Sequence, residues 1–277
     1  MTKTWLITGC SEGGIGAAIA RAALRAGYNV AVTARNLEKI TSIVSEYPKQ
    51  AFPVQLDLTD TASIRNAVRK TMEYFGGIDV LVNNAGYCYR SSVEESVESE
   101  VMRMFQTNLF GLIELTKEVL PFMRGQHSGT IVNFSSVAAL SANPASAFYA
   151  SSKAAVELLS DGLRKEVSPL GIRVIVVEPG AFRTNFFSTS LRGTQMKIAD
   201  YQDTAWKRYP ENAIDTGDQP GNPDKAASVL LKAIQSDNPP FRLLLSKQAV
   251  DFARQEYKNR LIEIDKWQSL SETTDFD

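Results

Sequence analysis

Three side chains in one stretch of the sequence have the chemistry to transfer a proton together. Tyr149 and Lys153 stand at an i, i+4 spacing, and Ser136 lies upstream at the end of an apolar run. If the chain is helical from Phe148 onward, the tyrosine and the lysine share one helix face. A free tyrosine has a pKa of about 10 and exchanges protons slowly at neutral pH, but a nearby ammonium favours the phenolate and lowers that pKa. The pattern predicts a tyrosine acid/base, with Ser136 placed to hold the oxygen atom that reacts.

The start of the chain decides whether this is redox chemistry, because a Tyr-x-x-x-Lys pair also occurs by chance on surface helices. A short apolar run at 5–8 is followed at once by the loop GCSEGGIG at 9–16 and then by an alanine-rich helical pattern at 17–26. Glycines let a backbone approach a pyrophosphate, and a helix N-terminus offers it free N–H groups. A plain glycine-rich turn is the alternative, but the strand and helix around the loop favour a dinucleotide site.

The residue after the second predicted strand bears on which dinucleotide binds. That strand, 29–33, is followed by Ala34 and Arg35. Proteins that bind NAD usually have an acidic residue near this point for the ribose 2′-hydroxyl, whereas an arginine suits a 2′-phosphate. An ordinary solvated arginine is the alternative. We therefore expect NADP(H), with NAD(H) as the less favoured cofactor.

The order of the strand and helix patterns predicts an α/β fold in a single domain, residues 1–277. Strands such as IRVIVV are continuously apolar, which is typical of a parallel sheet covered by helices on both faces. We expect a Rossmann-type, doubly wound parallel sheet of about seven strands, with ligands at the strand C-termini. The predicted strands are 5–8, 29–33, 51–55, 80–82, 130–134, 173–177 and 242–245. The predicted helices are 17–26, 37–46, 61–75 (with Asp60 as N-cap), 101–123, 148–167 and 224–233.

Composition and charge argue against several other classes of protein. The formal net charge is −1 with scattered basic residues, so nucleic acid is not an expected partner. The apolar runs are too short to span a membrane, and the first residues lack the apolar core of a secretory signal. Only Cys10 and Cys88 are available for disulfides. We therefore expect a cytoplasmic protein. A single histidine, His127, and the lack of a G-x-S-x-G motif disfavour a hydrolase triad and a zinc site, and no metal is predicted.

Together these motifs resemble the classical short-chain dehydrogenase/reductase family over roughly residues 4–184. The surrounding sequence is most similar to the branch containing 17β-hydroxysteroid-dehydrogenase-like and retinol-dehydrogenase-like reductases. The matching segments follow the family's order: the glycine loop from Thr8, Asp57 in LDL, NNAG at 83–86, Asn108, Ser136, Tyr149, Lys153, and Pro179-Gly180 with Thr184.

The resemblance implies a catalytic set of Asn108, Ser136, Tyr149 and Lys153. Tyr149 would be the general acid in carbonyl reduction and the general base in alcohol oxidation, while Lys153 would also bind the nicotinamide ribose. Ser136, whose spacing to Tyr149 matches the family where that of Ser135 does not, would hydrogen-bond the substrate oxygen. Asn108 would reach Lys153 through a water molecule, the alternative being a polar residue tolerated at a helix kink.

The resemblance also implies a series of cofactor contacts. Asp57 would contact the adenine amino group, or simply cap its turn, and Thr184 would bind the nicotinamide carboxamide, or satisfy its own loop. The turn containing Asn84 and Ala85 has a largely structural role beside the cofactor. The predicted cofactor-side residues are Gly9, Ser11, Gly14, Ile15, Gly16, Arg35, Asp57, Leu58, Asn84, Ala85, Gly86, Tyr149, Lys153, Pro179, Gly180 and Thr184.

The glycine loop departs from the family pattern by one residue. Four residues, not three, separate Gly9 from Gly14, so that Gly13 resembles an insertion and Glu12 enters the loop. A carboxylate beside a 2′-phosphate would repel it. If NADP(H) is the cofactor, Glu12 should therefore point to solvent.

Residues 181–221 lack periodicity and carry aromatic residues, which indicates a lid over the substrate, the alternative being aromatics that merely pack on the domain. The aromatic and apolar residues in question are Phe182, Phe186, Phe187, Met196, Trp206 and Tyr209. With the residues around Tyr149, they predict an apolar or aromatic ketone, aldehyde or alcohol as substrate. Nothing in the sequence resembles an arginine clamp for a carboxylate or phosphate, although Arg183 and Arg192 could contribute one. Residues 247–277 read as an amphipathic helix followed by a frayed acidic end.

The leading hypothesis is an NADP(H)-dependent carbonyl reductase or alcohol dehydrogenase. The alternative is an NADP(H)-binding regulator of the same fold with little catalysis, although such members commonly lose the tyrosine or the lysine. An epimerase is disfavoured because such enzymes usually carry a longer C-terminal sugar-nucleotide domain, for which little chain remains. An enoyl reductase is disfavoured because enoyl reductases of this fold usually space the tyrosine and the lysine differently. Helices 101–123 and 148–167 are apolar beyond one stripe, and the resemblance implies a homodimer or homotetramer through them.

Overall fold

A parallel sheet of seven strands forms the centre of the computed structural model, which describes residues 2–186, 190–194, 198–207 and 217–276. The strand order is β3-β2-β1-β4-β6-β7-β9, and a second, two-stranded sheet pairs β5 with β8. The strands are β1 Thr4–Ile7, β2 Asn29–Ala34, β3 Ala51–Gln55, β4 Val80–Asn83, β5 Cys88–Arg90, β6 Gly129–Phe134, β7 Ile172–Pro179, β8 Leu191–Gly193 and β9 Arg242–Leu245. The longer helices are α1 Ile15–Arg25, α2 Thr41–Glu46, α3 Thr61–Phe75, α4 Glu98–Phe105, α5 Gly111–Gly125, α6 Ala147–Val167, α7 Pro223–Gln235 and α8 Lys247–Ser271.

The strand order reverses direction between β1 and β4, and this reversal creates the crevice in which the site lies. The chain builds outward from β1 through β2 to β3, and then returns to add β4, β6, β7 and β9 on the other side. The loops that leave β1 and β4 therefore diverge to opposite faces of the sheet, which opens a cleft at their C-terminal ends. The glycine loop follows β1, and the Asn83–Gly86 turn follows β4, so both are placed at this cleft.

Apolar side chains cover both faces of the sheet, which explains why the strands read as continuous apolar runs. Trp5 and Ile7 of β1 pack on one face with α1 and α7, whereas Leu6 between them packs on the other face with α3 and α5. Successive strand residues point to opposite faces, and here both faces are buried by helices. The predicted doubly wound sheet of about seven parallel strands is confirmed.

The helix predicted at 101–123 is interrupted by one π-helical turn. Residues Gln106–Phe110 form that turn between α4 and α5, with the Gly111 N–H donating to the Gln106 carbonyl. The prediction of Asp60 as an N-cap is confirmed, since its carboxylate accepts from the Ala62 N–H at 2.9 Å. Sequence patterns missed β5 and β8, because three-residue strands carry too little periodicity to be recognised.

The C-terminal helix α8 runs from Lys247 to Ser271, close to the predicted limits. Ala249 and Ala253 are its buried residues, and its second half exposes large apolar side chains such as Trp267. Among the helices in the described part of the chain, none is both long and apolar enough to cross a lipid bilayer.

Candidate active site

A cavity of about 650 Å³ lies at the C-terminal ends of the strands and brings most of the predicted site residues together. Asn108 and Gly16 are the two predicted residues that do not line it. The predicted residues that do line it are Gly9, Ser11, Gly14, Ile15, Arg35, Asp57, Leu58, Asn84, Ala85, Gly86, Ser136, Tyr149, Lys153, Pro179, Gly180 and Thr184.

Tyr149 and Lys153 lie one turn apart on α6, as their spacing predicted. The lysine Nζ is 5.8 Å from the centre of the tyrosine ring. It donates a hydrogen bond of 2.8 Å to the carbonyl of Phe134, the last residue of β6, and the residue is only 5% exposed. The end of a central strand therefore fixes the ammonium beneath the tyrosine.

The two neighbouring serines after β6 have different positions. The Ser136 side chain hydrogen-bonds Tyr149 and also accepts from the Ala138 N–H at 3.2 Å, at the start of a short 3-10 turn. Ser135 is buried, and its hydroxyl donates to the Lys153 carbonyl at 3.2 Å. Ser136 is thus the serine that faces the tyrosine hydroxyl, whereas Ser135 supports the helix.

Burial dominates the acid–base properties of this pair. Burial raises the pKa of Tyr149 above its ordinary value, the nearby Cys88 raises it further, and the hydrogen bond from Ser136 and the charge of Arg90 oppose the rise. Burial lowers the pKa of Lys153 to about 8. The expectation that Lys153 brings the Tyr149 pKa down toward neutrality is wrong for the protein alone, because desolvation of the phenolate outweighs nearby positive charge. Tyr149 is therefore protonated at neutral pH, the form that can donate to a carbonyl oxygen.

Asn108 lies in the π-helical turn, behind the wall of the cavity. Its Oδ1 accepts from the Tyr87 N–H at 3.0 Å, and its Nδ2 donates to the Tyr87 carbonyl at 2.9 Å and to Ser152 Oγ at 3.2 Å. A Cβ atom on Gly86 would lie 3.0 Å from Asn108 Oδ1 and 3.4 Å from Lys153 Nζ. Asn108 thereby joins the turn after β4 to α6, next to the lysine. Both the catalytic role and the helix-kink alternative fit this position, since π turns recur at functional sites.

The glycine loop and the turn after β4 are packed directly against each other. Thr8 Oγ1 accepts from the N–H groups of Asn84 and Ala85, both at 2.9 Å, and Asn84 Nδ2 donates to the Thr8 carbonyl at 2.9 Å. A Cβ atom on Gly16 would lie 2.4 Å from the Gly9 carbonyl oxygen, so Gly16 supports the loop from below. Asn84 is thus a brace between two loops, in keeping with the structural role expected of this turn.

The start of α1 offers the donors that a pyrophosphate requires. Its N-cap residue, Gly14, supplies no side chain to bond the first N–H groups, and the first turn has no acidic residue. Unoccupied N–H groups and the positive end of the helix dipole favour an anion at this position. The residues around the cavity therefore fit a nicotinamide dinucleotide.

The inserted Gly13 makes room for a side chain that sequence reasoning missed, Asn185. The Asn185 N–H donates to the Gly13 carbonyl at 3.1 Å, and its Nδ2 donates to the Glu12 carbonyl at 2.7 Å. Gly13 has a φ of +76°, and a Cβ atom there would lie 2.6 Å from Asn185 Oδ1. The segment after β7 is thus fastened to the glycine loop at the inserted residue.

The Glu12 carboxylate is neutralised by an arginine on α1. Arg21 donates to both of its oxygens, at 2.6 and 2.9 Å, and the Ser42 hydroxyl donates to one of them. The Arg21 hydrogen bond holds the pKa of Glu12 below its usual range, and the Glu12 side chain is 42% exposed. The acid in the loop is therefore part of an ion pair that is partly open to solvent.

The residues predicted for the adenosine end of the cofactor lie together. Arg35 follows β2 and is exposed, and Arg103 of α4 lines the same part of the cavity. Asp57 Oδ1 accepts from Thr59 through both N–H (2.9 Å) and hydroxyl (2.8 Å). Burial raises the pKa of Asp57, but these bonds and the charges of Arg35 and Arg103 outweigh it and leave the pKa lowered. Asp57 both caps its turn and lines the cavity.

The predicted lid residues have more than one role. Phe182 is buried in the core, and Phe186 faces Tyr149 with ring centres 6.3 Å apart. Thr184 lines the cavity while its hydroxyl accepts from the Phe186 N–H at 3.3 Å, which is the own-loop alternative. Trp206 is buried, and its Nε1 donates to Glu95 at 2.9 Å. The predictions for Phe187, Met196 and Tyr209 lie outside the described residues.

Comparison with known proteins gives the family. Residues 3–194 match the family model for short chain dehydrogenase. The chain belongs to that family.

Individual relatives are similar over almost the whole chain. A short-chain dehydrogenase from Streptomyces avermitilis is 38% identical and superposes with a TM-score of 0.92. The match covers 99% of this chain and 98% of the Streptomyces chain. The oxidoreductase BOA17 of Botryotinia fuckeliana is 37% identical over 272 residues, 98% of each chain. An alcohol dehydrogenase from Thermococcus sibiricus, complexed with 5-hydroxy-NADP, is 28% identical with a TM-score of 0.72, over 88% of this chain and 96% of its own.

The short-chain dehydrogenase family and its fold, as predicted from the motifs, are thereby confirmed, and the protein is an oxidoreductase of this type. Sequence reasoning missed Arg90 and Asn185, which line the cavity, and Glu95, which holds Ile198 and Trp206. The proximity of Arg90 to the Tyr-x-x-x-Lys helix depends on β5, and the positions of the other two depend on contacts distant in sequence.

Proposed function

We propose that this short-chain dehydrogenase interconverts a carbonyl group and an alcohol on an apolar or aromatic substrate, with NADP(H) as cofactor and Tyr149 as acid/base. The observation that supports the proposal most directly is the alignment of Ser136, Tyr149 and Lys153 at one end of a cavity whose other end fits a dinucleotide. We also propose that the chain belongs to the branch of 17β-hydroxysteroid-dehydrogenase-like and retinol-dehydrogenase-like reductases. The apolar residues of its predicted lid support this assignment.

Each residue has a defined part in the reduction. The nicotinamide cofactor, when bound, supplies the hydride that adds to the carbonyl carbon. The Tyr149 hydroxyl gives its proton to the carbonyl oxygen, and Ser136 donates a hydrogen bond to that oxygen as negative charge develops. Lys153, held by the Phe134 carbonyl, places positive charge below the resulting phenolate. In the oxidation direction the phenolate takes the proton of the alcohol.

The preference for NADP(H) rests on two charges near the end of β2. Arg35 is exposed at the rim of the cavity, where its planar cation suits a phosphate monoester. Glu12 lines the cavity too, but its ion pair with Arg21 offsets the charge that would repel a 2′-phosphate. The related Thermococcus enzyme, which binds 5-hydroxy-NADP, gives further support.

The proposal is tested by the initial rate of NADPH and NADH oxidation with a panel of apolar ketones and aldehydes. We expect turnover with NADPH to exceed that with NADH, and Arg35→Met to raise the KM for NADPH about tenfold while leaving the KM for NADH unchanged. Arg69→Met, an exposed arginine on α3 paired with Glu73, is the matched control. A preference for NADH would overturn the cofactor assignment. Tight NADPH binding without turnover of any substrate would favour the alternative, a regulator that binds NADP(H).

We propose that residues 181–221 form the substrate lid, supported by Phe186 beside Tyr149 and by Trp206 against Ala145. Replacing Phe186 with alanine should raise the KM for apolar substrates and leave the NADPH affinity unchanged. An unchanged KM would argue that the lid lies elsewhere.

We also propose that two copies associate through α4–α5 and α6. Met102, Phe110 and Leu158 are large apolar side chains of these elements, and Leu158 is 75% exposed. Large apolar side chains that are exposed on helices favour a protein interface. Sedimentation velocity should give a dimer or tetramer for the wild type and a smaller species for Leu158→Glu. A monomeric wild type would reject the interface.

We propose a cytoplasmic location, which the two free cysteines support. Cell fractionation can check it.

A further inference from the structure

The second half of α8 extends beyond the body of the domain. Ala249 and Ala253 are the buried residues of this helix, and every described residue at 257–276 is exposed. Arg260 donates a hydrogen bond to the Leu140 carbonyl. Beyond that residue, the described side-chain hydrogen bonds stay within the helix and the turn that follows it. About four turns of helix are therefore exposed to solvent on all sides.

An apolar stripe runs along this extended part of the helix. Its members are Tyr257, Leu261, Ile264 and Trp267, at steps of four, three and three positions. This spacing places them on one face, and each is between 46% and 61% exposed. We call these four residues the α8 stripe. Ala253, four positions before Tyr257, is buried on the domain, so the stripe continues a packed face into solvent.

A helix of this kind favours a partner surface. Most of the stability of an amphipathic helix comes from packing its apolar face, and isolated helices of about 12–15 residues are marginal in water. The extended part of α8 has that length and an unpacked stripe. A contiguous row of large apolar side chains is also typical of an interaction site. The α8 stripe is therefore the candidate for a docking surface.

The charges of the helix differ between its two ends. Where α8 leaves the domain, Arg254 and Lys258 are exposed cations that form no ion pair within the described residues. At the other end, Glu272 and Asp275 are exposed acids, likewise outside the ion pairs of the described chain. The remaining charged residues of the segment 254–276 are Glu256, Arg260, Glu263, Asp265 and Lys266. One end of the helix is thus positive and the other negative.

This charge pattern favours a second copy of the chain as the partner. Two antiparallel copies of α8 place the positive end of each beside the negative end of the other, whereas a parallel pair brings like charges together. An antiparallel pair related by a two-fold axis also uses the same stripe on both copies. An anionic membrane surface is disfavoured, because helices that bind one carry an excess of Lys and Arg, and the charges here are nearly balanced.

We propose that the α8 stripe docks antiparallel on the α8 stripe of a second copy, with Lys258 beside Glu272 of the partner subunit. Ile264 is the midpoint of the exposed helical segment 257–271, so it lies near the two-fold axis. The surface uses other elements than the association proposed through α4–α5 and α6, and the two together would build a tetramer. The inference does not depend on the reaction that the protein catalyses.

The first test measures association with the other proposed interface weakened. The Leu158→Glu variant should still form a dimer in sedimentation velocity. Adding Trp267→Glu should raise the dissociation constant of that dimer at least about tenfold. Adding Asn259→Glu is the matched control, because it places the same charge on the opposite face of α8 and should leave the dimer unchanged. A Leu158→Glu protein that is monomeric throughout, or equal weakening by both added changes, overturns the proposal.

The second test asks for the antiparallel order. Under mild oxidation Ile264→Cys should give a disulfide-linked dimer, since residues at a two-fold axis meet their own copies, whereas Tyr257→Cys should not. The native thiols of Cys10 and Cys88 are buried and do not compete. A linked dimer of Tyr257→Cys but not of Ile264→Cys overturns the antiparallel order.

Two further measurements address the charges and the alternative partner. Lys258→Glu should weaken the Leu158→Glu dimer, and adding Glu272→Lys should restore it, because the pair is then reversed. Failure of the second change to restore association would contradict the proposed pairing of the two ends. A monomeric protein that binds vesicles of phosphatidylcholine and phosphatidylserine, and loses this binding in Trp267→Glu, would assign the stripe to a membrane surface instead.

Discussion

The floor and the roof of the cavity are held in different ways. The floor consists of Ser136, Tyr149 and Lys153, with Asn108 directly behind them. These side chains are fixed by backbone groups after β4 and at the end of β6 or by neighbours on α6. The roof, residues 181–186, 190–194 and 198–207, is instead fixed largely by side-chain hydrogen bonds to other loops and to β5. Floor geometry therefore follows from the sheet, whereas roof geometry depends on a few individual contacts.

Four hydrogen bonds show how the roof depends on side chains. Asn185 bonds the Glu12 carbonyl, the Tyr89 hydroxyl bonds Thr194 Oγ1, and buried Glu95 accepts from Trp206 Nε1 and from the Ile198 N–H at 2.8 Å. All of these residues lie outside the seven-stranded sheet. Such a separation lets one fold act on different substrates.

The largest effect is expected in the floor, from Tyr149→Phe. The variant keeps the ring and its contact with Phe186 but loses the proton, so kcat should fall by about 10²- to 10⁴-fold. The NADPH dissociation constant should change by less than about twofold. Single-turnover NADPH oxidation and fluorescence titration measure the two quantities. A kcat near that of the wild type would show that another group donates the proton.

The roof should respond differently, in stability and KM more than in kcat. Glu95→Ala leaves Trp206 Nε1 and the Ile198 N–H without their acceptor, which should cost about 2–3 kcal/mol of unfolding free energy. Glu94→Ala is the matched control, because Glu94 is exposed and accepts from the Tyr201 hydroxyl. That control should cost less than about 1 kcal/mol.

Urea denaturation measures both stabilities, and kcat and KM are compared for one apolar ketone. For Glu95→Ala we expect a higher KM with kcat nearly kept. Equal losses of stability in the two variants would mean that Glu95 does not hold the roof.

The same contrast explains what the sequence could predict. Three elements match the predicted limits: the strands Ala51–Gln55 and Arg242–Leu245, and the helix Thr61–Phe75, which begins directly after its capping residue Asp60. The spacing of Tyr149 and Lys153 is local too, and one helix turn suffices to bring them together. The fold and the floor were therefore accessible from short-range patterns and motif order.

The roof was not accessible, because its contacts join residues far apart in the chain. Asn185 meets Glu12 across 173 positions, and Trp206 meets Glu95 across 111. The Tyr149 pKa was also mispredicted, since the lysine was visible in the sequence but the depth of burial was not. Distances and desolvation, unlike residue types, appear only in the folded chain.

The junction of the floor and the roof at Gly13 gives a smaller, paired effect. Gly13 and Gly27 both have positive φ, at +76° and +88°, so alanine should cost about 1–2 kcal/mol at either position. Only at Gly13 would the new Cβ meet a neighbour, Asn185, since Gly27 has open space. Gly13→Ala should therefore also weaken NADPH binding several-fold, whereas Gly27→Ala should not.

Adding Asn185→Ala to Gly13→Ala removes the clash. We expect the double variant to bind NADPH better than the sum of the two single effects implies. Isothermal titration of NADPH into the wild type, Gly13→Ala, Asn185→Ala and the double variant measures this coupling. Strict additivity would show that the loop and the roof are independent at this point.

The smallest effect concerns the buried ammonium of the floor and its dependence on pH. The pKa of Lys153 is about 8 in the folded protein against 10.5 for an ordinary lysine, so between these values the unfolded chain binds more protons. The lysine contribution to stability therefore rises with pH, by about 1 kcal/mol from pH 8 to pH 9. The thiols of Cys10 and Cys88, whose pKa values burial raises to about 12 and about 11, act in the opposite direction. The informative quantity is thus the unfolding free energy of the wild type minus that of Lys153→Met, measured by urea denaturation at both pH values. This difference should increase with pH, and a flat or falling difference would place the Lys153 ammonium in a more solvated position than the carbonyl of Phe134 provides.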